Sequence, residues 1–177
     1  MTSLPEFLAE FSSTDDFEQW TWDVTKFATF MDHVHKLATS PDEFASSLSS
    51  QFIWNLQYAV GELVWDRRIA DPDRLNLLRD TAVVATAMAS SDTYPPSRRT
   101  SGLLQFWESV VEVGDRPEKR DDQVIRSALF ECFTNLLENP HPLVQSMALH
   151  GLHHLHHPTT AEVIEALNNV ANAEDRE

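Results

Sequence analysis

The sequence predicts an all-α protein, and three observations carry that expectation. Only four glycines occur in 177 residues, too few for the tight turns of a many-stranded sheet or for a Gly-rich phosphate loop. Apolar residues recur at intervals of three and four, the spacing of one helix face. Prolines at Pro41, Pro72 and Pro142 stand where helices begin, and proline is favoured in a first helical turn. With 42% apolar and 10% aromatic residues, the chain can build one well-buried core, so a single all-helical domain over 1–177 is expected.

The first 90 residues read as three long amphipathic helices. From Asp15 to about Ala38, Phe17, Trp20, Val24, Phe27, Met31 and Val34 fall on one stripe, which is a core face. Asp15 and Asp16 suit the positive end of the helix dipole. His33 lies opposite the stripe and His35 beside it, both expected at the surface or its boundary. Asp42 to Asp66 carries two apolar lines, Phe44, Leu48, Phe52, Leu56 and Leu63 on one side and Trp54, Tyr58 and Trp65 roughly opposite. Sandwiching of this second helix is expected, because a bare aromatic stripe invites aggregation unless it binds something. Asp71-Pro72-Asp73 opens the third helix, whose second half, Thr81 to Ala89, is nearly apolar all round and is expected at the centre.

Ser90 to Ser101 is rich in Pro and Ser and reads as a loop. The second half then gives helices at about Gly102 to Val113, Gln123 to Glu138, Pro142 to His156 and Thr159 to Ala173, with a charged loop from Gly114 to Asp122. Short turns between them imply alternating directions.

Composition excludes several classes. Cys132 is the only cysteine, which rules out an intramolecular disulfide and a cysteine-rich zinc site, and its apolar neighbours imply a buried, unreactive thiol. MTSLPEFLAEF has no basic flank and no long apolar run, and no segment reaches membrane-spanning length; no membrane attachment and a cytoplasmic location are expected. A net charge of −15 opposes binding of a nucleic-acid backbone, which needs clustered Lys and Arg. The charge is uneven: Met1 to Asp66 has eleven acids and two bases, Arg67 to Arg126 ten of each, and Ser127 to Glu177 seven acids and only Arg176. Such acidic ends suit a basic protein or a basic groove.

Asn139 to Pro158, with the helix after it, resembles a HEAT repeat. Pro142, Val144, Ala148, Gly151, Leu152 and Leu155 occupy the positions where that family places its opening proline, its core valine and alanine, a small residue and two leucines. Pro158 and a second helix with Val163, Ile164, Leu167 and Val170 inward complete the unit. Gln145 stands where the family often has arginine. The match covers about 35 residues, and a weaker unit spans Leu103 to Leu137. One repeat cannot bury its own faces. The resemblance therefore implies a right-handed α-α superhelix of stacked antiparallel helical hairpins, with HEAT-like hairpins over 102–177.

His150-Gly-Leu-His-His-Leu-His-His157 holds five histidines in eight residues. At 100° per residue, Val144, Ala148, Leu152 and Leu155 cluster within about 80°, while His150, His153, His154 and His157 fill an arc of about 100° on the other side. They are expected to form a solvated outer face that could gain charge on mild acidification. No metal site and no cofactor are expected, since a biological zinc site usually needs three or four ligands and no HExxH pattern or cysteine supplies the rest. If a metal binds, these four histidines are its ligands, through pairs at i, i+4.

No nucleophile with a positioned base and no carboxylate pair in a cleft is visible, so no catalytic residues are assigned. HEAT-like resemblance implies instead a non-catalytic protein-binding module, a scaffold or adaptor with a protein partner. The alternative is a small acidic inhibitor of a basic partner, such as a toxin-immunity protein or a DNA mimic. A metal-dependent enzyme using the histidines ranks below both. Glu162, Glu165, Asn169 and Asn172 point away from the last hairpin's apolar side and are the expected partner-binding patch, with the Trp54, Tyr58 and Trp65 face second.

Overall fold

The computed structural model describes residues 3–13, 24–45, 48–91 and 102–165. Among them the protein forms eight helices: α1 Leu4–Ser13, α2 Val24–Thr39, α3 Pro41–Ala45, α4 Ser50–Val64, α5 Asp71–Ser90, α6 Phe106–Gly114, α7 Gln123–Leu137 and α8 Pro142–Leu155. Residues 160–165 form a further helical segment. The all-α expectation holds over this range, and no strand occurs among the described residues.

Among the described residues of the first 90 there are five helices, where three long ones are expected from the sequence. The helix α1 was not foreseen. It starts on a reciprocal cap in which Ser3 N–H donates to Glu6 Oε2 at 2.8 Å and Glu6 N–H donates to Ser3 Oγ at 3.4 Å. Its Phe7 and Phe11 enter the core and Phe7 stacks on His33, with ring centroids 4.5 Å apart. His33 is consequently buried, contrary to the surface position expected for it. The proposed helix from Asp42 to Asp66 is broken into α3 and α4. Ser49 makes the new start by accepting the Phe52 N–H at 3.0 Å, because a serine side chain competes for backbone donors and favours a cap over a helix interior. Residues 14–23, with Phe17 and Trp20, lie outside the described range.

Alternate helices pack side by side in chain order. One row runs α1, α4, α6, α8, and a second runs α2, α5, α7, with α4 against α5 and α7 against α8 joining the rows. The helix α5 touches α2, α3, α4, α7 and α8. That accounts for the apolar second half of α5, where Val84, Ala85, Met88 and Ala89 are buried while Val83 stays 40% exposed; Asp73, Asn76 and Arg79 of its first half face solvent. One continuous buried cluster extends from Phe7 to Leu155; each fully buried Leu, Val or Phe in it contributes about 1.5–3 kcal/mol relative to exposure.

Two arginines close the helix ends inside this frame. Arg74, 3% exposed, donates to the Val64 carbonyl at 3.1 Å and to Asp122 Oδ2 at 2.5 Å, and it also bonds Asp71. Asp122 in turn accepts the Ile125 N–H and caps α7. Arg126 donates to the carbonyls of Gly114 and Leu155 at 3.0 and 3.1 Å, and so satisfies the C-termini of both α6 and α8.

Candidate functional site

The buried face of α8 sets the geometry. Val144, Met147, Ala148, Leu152 and Leu155 are at most 1% exposed, and Gly151 brings the helix against the Phe133 ring of α7. With that face fixed, His150 and His154, one turn apart, fall on the flank of α8 that meets α6. Glu108, in the first turn of α6, projects between them. His150 Nε2 lies 2.9 Å from Glu108 Oε2 and His154 Nε2 lies 3.6 Å from Glu108 Oε1, so the carboxylate presents one oxygen to each imidazole. The three side chains are 36%, 28% and 26% exposed. The hydrogen bond from His150 holds the Glu108 carboxyl below the usual range, against partial desolvation and with a smaller electrostatic contribution from the nearby His154 imidazole. The first turn of a helix also favours a carboxylate.

The histidines therefore do not form one solvated outer face. His150 and His154 turn toward α6 because α6 packs beside α8; the hairpin core of α7 and α8 alone would leave them outside. His153 is exposed, with its ring edge-on to His154 at 5.2 Å. His157 goes elsewhere: it stacks on Phe130 of α7 at 4.2 Å and pairs with Thr159 Oγ1 at 2.8 Å. His156 ends the helix in the left-handed region at φ 51°. The four histidines named as a conditional ligand set are thus divided, and Glu108 joins two of them. The i, i+4 histidine spacing was visible in the sequence. The carboxylate, 42 residues away, was not, because only the packing of α6 on α8 brings it there.

Of the expected partner patch, Glu162 and Glu165 are exposed on the segment 160–165, whereas Asn169 and Asn172 lie outside the described residues. Val163 and Ile164 of the same segment are half-buried. The aromatic line of α4 divides. Trp65 is buried and donates its Nε1–H to the Val110 carbonyl at 2.7 Å, while Trp54 and Tyr58 remain 36% and 46% exposed with their rings 6.4 Å apart. The helix α4 is thus enclosed on most sides, with Phe52, Ile53, Asn55, Leu56 and Gln57 buried, and only the strip of Trp54 and Tyr58 stays open.

Cys132 lines an apolar groove of about 700 Å³ between α5 and α7, beside Leu75, Ala82, Val83, Ala128 and Leu136. Burial pushes its thiol up to about 12, the opposite of what a reactive cysteine needs. The charged pocket around Glu62, Arg67, Arg116 and Lys119 is internally neutralised: Arg116 and Lys119 each take one oxygen of Glu62, at 2.7 and 2.9 Å, and Arg67 approaches Asp122.

No protein-family model, no curated protein and no solved structure matches the chain. Among the described residues no helix is long and apolar enough to cross a membrane. The sharpest chemical constellation is accordingly the Glu108, His150 and His154 group, a carboxylate held between two imidazoles at a helix–helix seam.

Proposed function

We propose that the protein is a non-catalytic binding module, an acidic HEAT-like scaffold that offers carboxylates to a basic protein partner. Two rows of alternating helices, joined pairwise, support the architectural part of this reading, because stacked hairpins place successive first helices in one layer and successive second helices in the other.

The observation that carries the functional part is the distribution of ion pairs. Lys36, Arg67, Arg68, Arg74, Arg116, Lys119 and Arg126 all pair with Asp or Glu of the protein itself. Those bases are engaged internally. Meanwhile the sequence from Ser127 to Asp175 contains no Lys or Arg, and Glu162 and Glu165 are exposed within it. Carboxylates on a segment without Lys or Arg of its own project a field that attracts and orients a basic surface.

The magnitude of the charge imbalance, −15, favours a second form of the same reading, a small inhibitor that masks a basic site. Capture of partners from a cell extract on immobilised protein, at low and at high salt, tests both. The reading expects a retained basic protein whose capture falls as salt rises, steeply for an inhibitor that covers a basic site. Retention that is indifferent to salt, or of acidic proteins, contradicts it.

A further inference from the structure

We propose that Glu108, His150 and His154 form a binding site for a divalent transition cation of the zinc class, one ion per chain, which clasps α6 to α8. The donor atoms are one carboxylate oxygen and two imidazole Nε2 atoms, all within 4.8 Å of one another. Zinc bonds to nitrogen and carboxylate oxygen of about 2.0–2.2 Å in a tetrahedral arrangement require donor atoms about 3.4 Å apart. His150 lies 2.9 Å from one Glu108 oxygen and His154 3.6 Å from the other, and with one donor atom taken from each residue the set spans at most 4.8 Å, somewhat wider than that spacing. Closing the site on an ion therefore requires the three side chains to draw together by about 1 Å. Two imidazoles select a borderline cation such as zinc, cobalt or nickel over magnesium or calcium, which require oxygen ligands. The solvent-facing side leaves the remaining position to water. A pair of histidines on one helix would make a weak, adventitious site; what distinguishes this one is the third ligand, delivered from a different helix and already lodged between the other two.

The site stands independently of partner binding, and the test uses full-length protein without a polyhistidine tag, titrated with zinc alone by calorimetry and thermal melting. The proposal expects one saturable zinc per chain, a thermal midpoint that climbs with zinc concentration, and no displacement by excess magnesium. Glu108→Gln is nearly isosteric and should weaken zinc binding at least tenfold, as should His150→Gln or His154→Gln. His153→Gln with His157→Gln should leave zinc affinity within about twofold. Far-UV circular dichroism reports whether each variant folds, and His154→Gln, at a half-exposed position, serves as the decisive variant should Glu108→Gln lose helicity. No saturable binding by the native protein overturns the proposal. So does a folded Glu108→Gln variant that binds zinc as tightly as the native chain, or binding that depends on His153 and His157 instead.

Discussion

Gly151→Ala tests the packing on which the seam of α7 and α8 depends. A Cβ at Gly151 would lie 2.7–2.9 Å from three atoms of the Phe133 ring, where an ordinary carbon contact is about 3.5–4.0 Å. The ring cannot simply retreat, since Phe133 is fully buried and meets the equally buried Trp107 edge-on at 5.3 Å. Overpacking of this kind costs about 1–3 kcal/mol, and a shortfall near 1 Å against a confined ring places it at the upper end. Replacing glycine by alanine inside a helix returns about 1 kcal/mol through propensity. The net expectation is a loss of about 1–2 kcal/mol, read as a lower urea midpoint at unchanged slope. In a Phe133→Leu background the obstructing ring edge is gone, so Gly151→Ala should there become neutral or stabilising, a coupling that a double-mutant cycle isolates. A Gly151→Ala protein about 1 kcal/mol more stable than the native one would mean that the propensity term acts alone, and the close approach of α8 to Phe133 would be refuted.

Arg74→Ala should be more damaging, by about 3 kcal/mol, because it leaves the buried Asp122 carboxylate only the more distant Arg67 and the Ile125 N–H and leaves the Val64 carbonyl without its cap; chemical denaturation measures it, and a loss below about 1 kcal/mol would contradict the buried pair. Cys132 should resist disulfide reagents at pH 8 in the folded protein and react on unfolding. The rise of its thiol from 9.0 to about 12 lowers the thiolate fraction by about a thousandfold, so native labelling as fast as that of the unfolded chain would refute the desolvation of this half-buried thiol.

Much of the fold was legible in the sequence, and the parts that were not have specific physical causes. Pro72 with its flanking acids marked the start of α5, and the core positions Val144, Ala148, Leu152 and Leu155 marked the inward face of α8, because these are local signals. The α1 cap is equally local: Ser3 and Glu6 stand at capping-box spacing. Phe44, Leu48, Phe52 and Leu56 kept helical period across the break between α3 and α4, so periodicity concealed what Ser49 reveals through its cap. The third member of the histidine site was beyond reach. Nothing near Glu108 in the chain distinguishes it from any other helix-start glutamate; its meaning comes from α6 lying against α8.

Glu162→Lys with Glu165→Lys tests most directly the proposal that the exposed carboxylates of segment 160–165 meet a basic partner. Both residues are exposed, so the double variant should keep its helical signal and thermal midpoint. Affinity for the captured partner should fall at least tenfold, about 1.4 kcal/mol, and the dependence of binding on salt should flatten as attractive charge pairs are replaced by repulsive ones. A double variant that retains its partner with undiminished affinity and the same salt dependence would contradict the account and move the search to Trp54 and Tyr58.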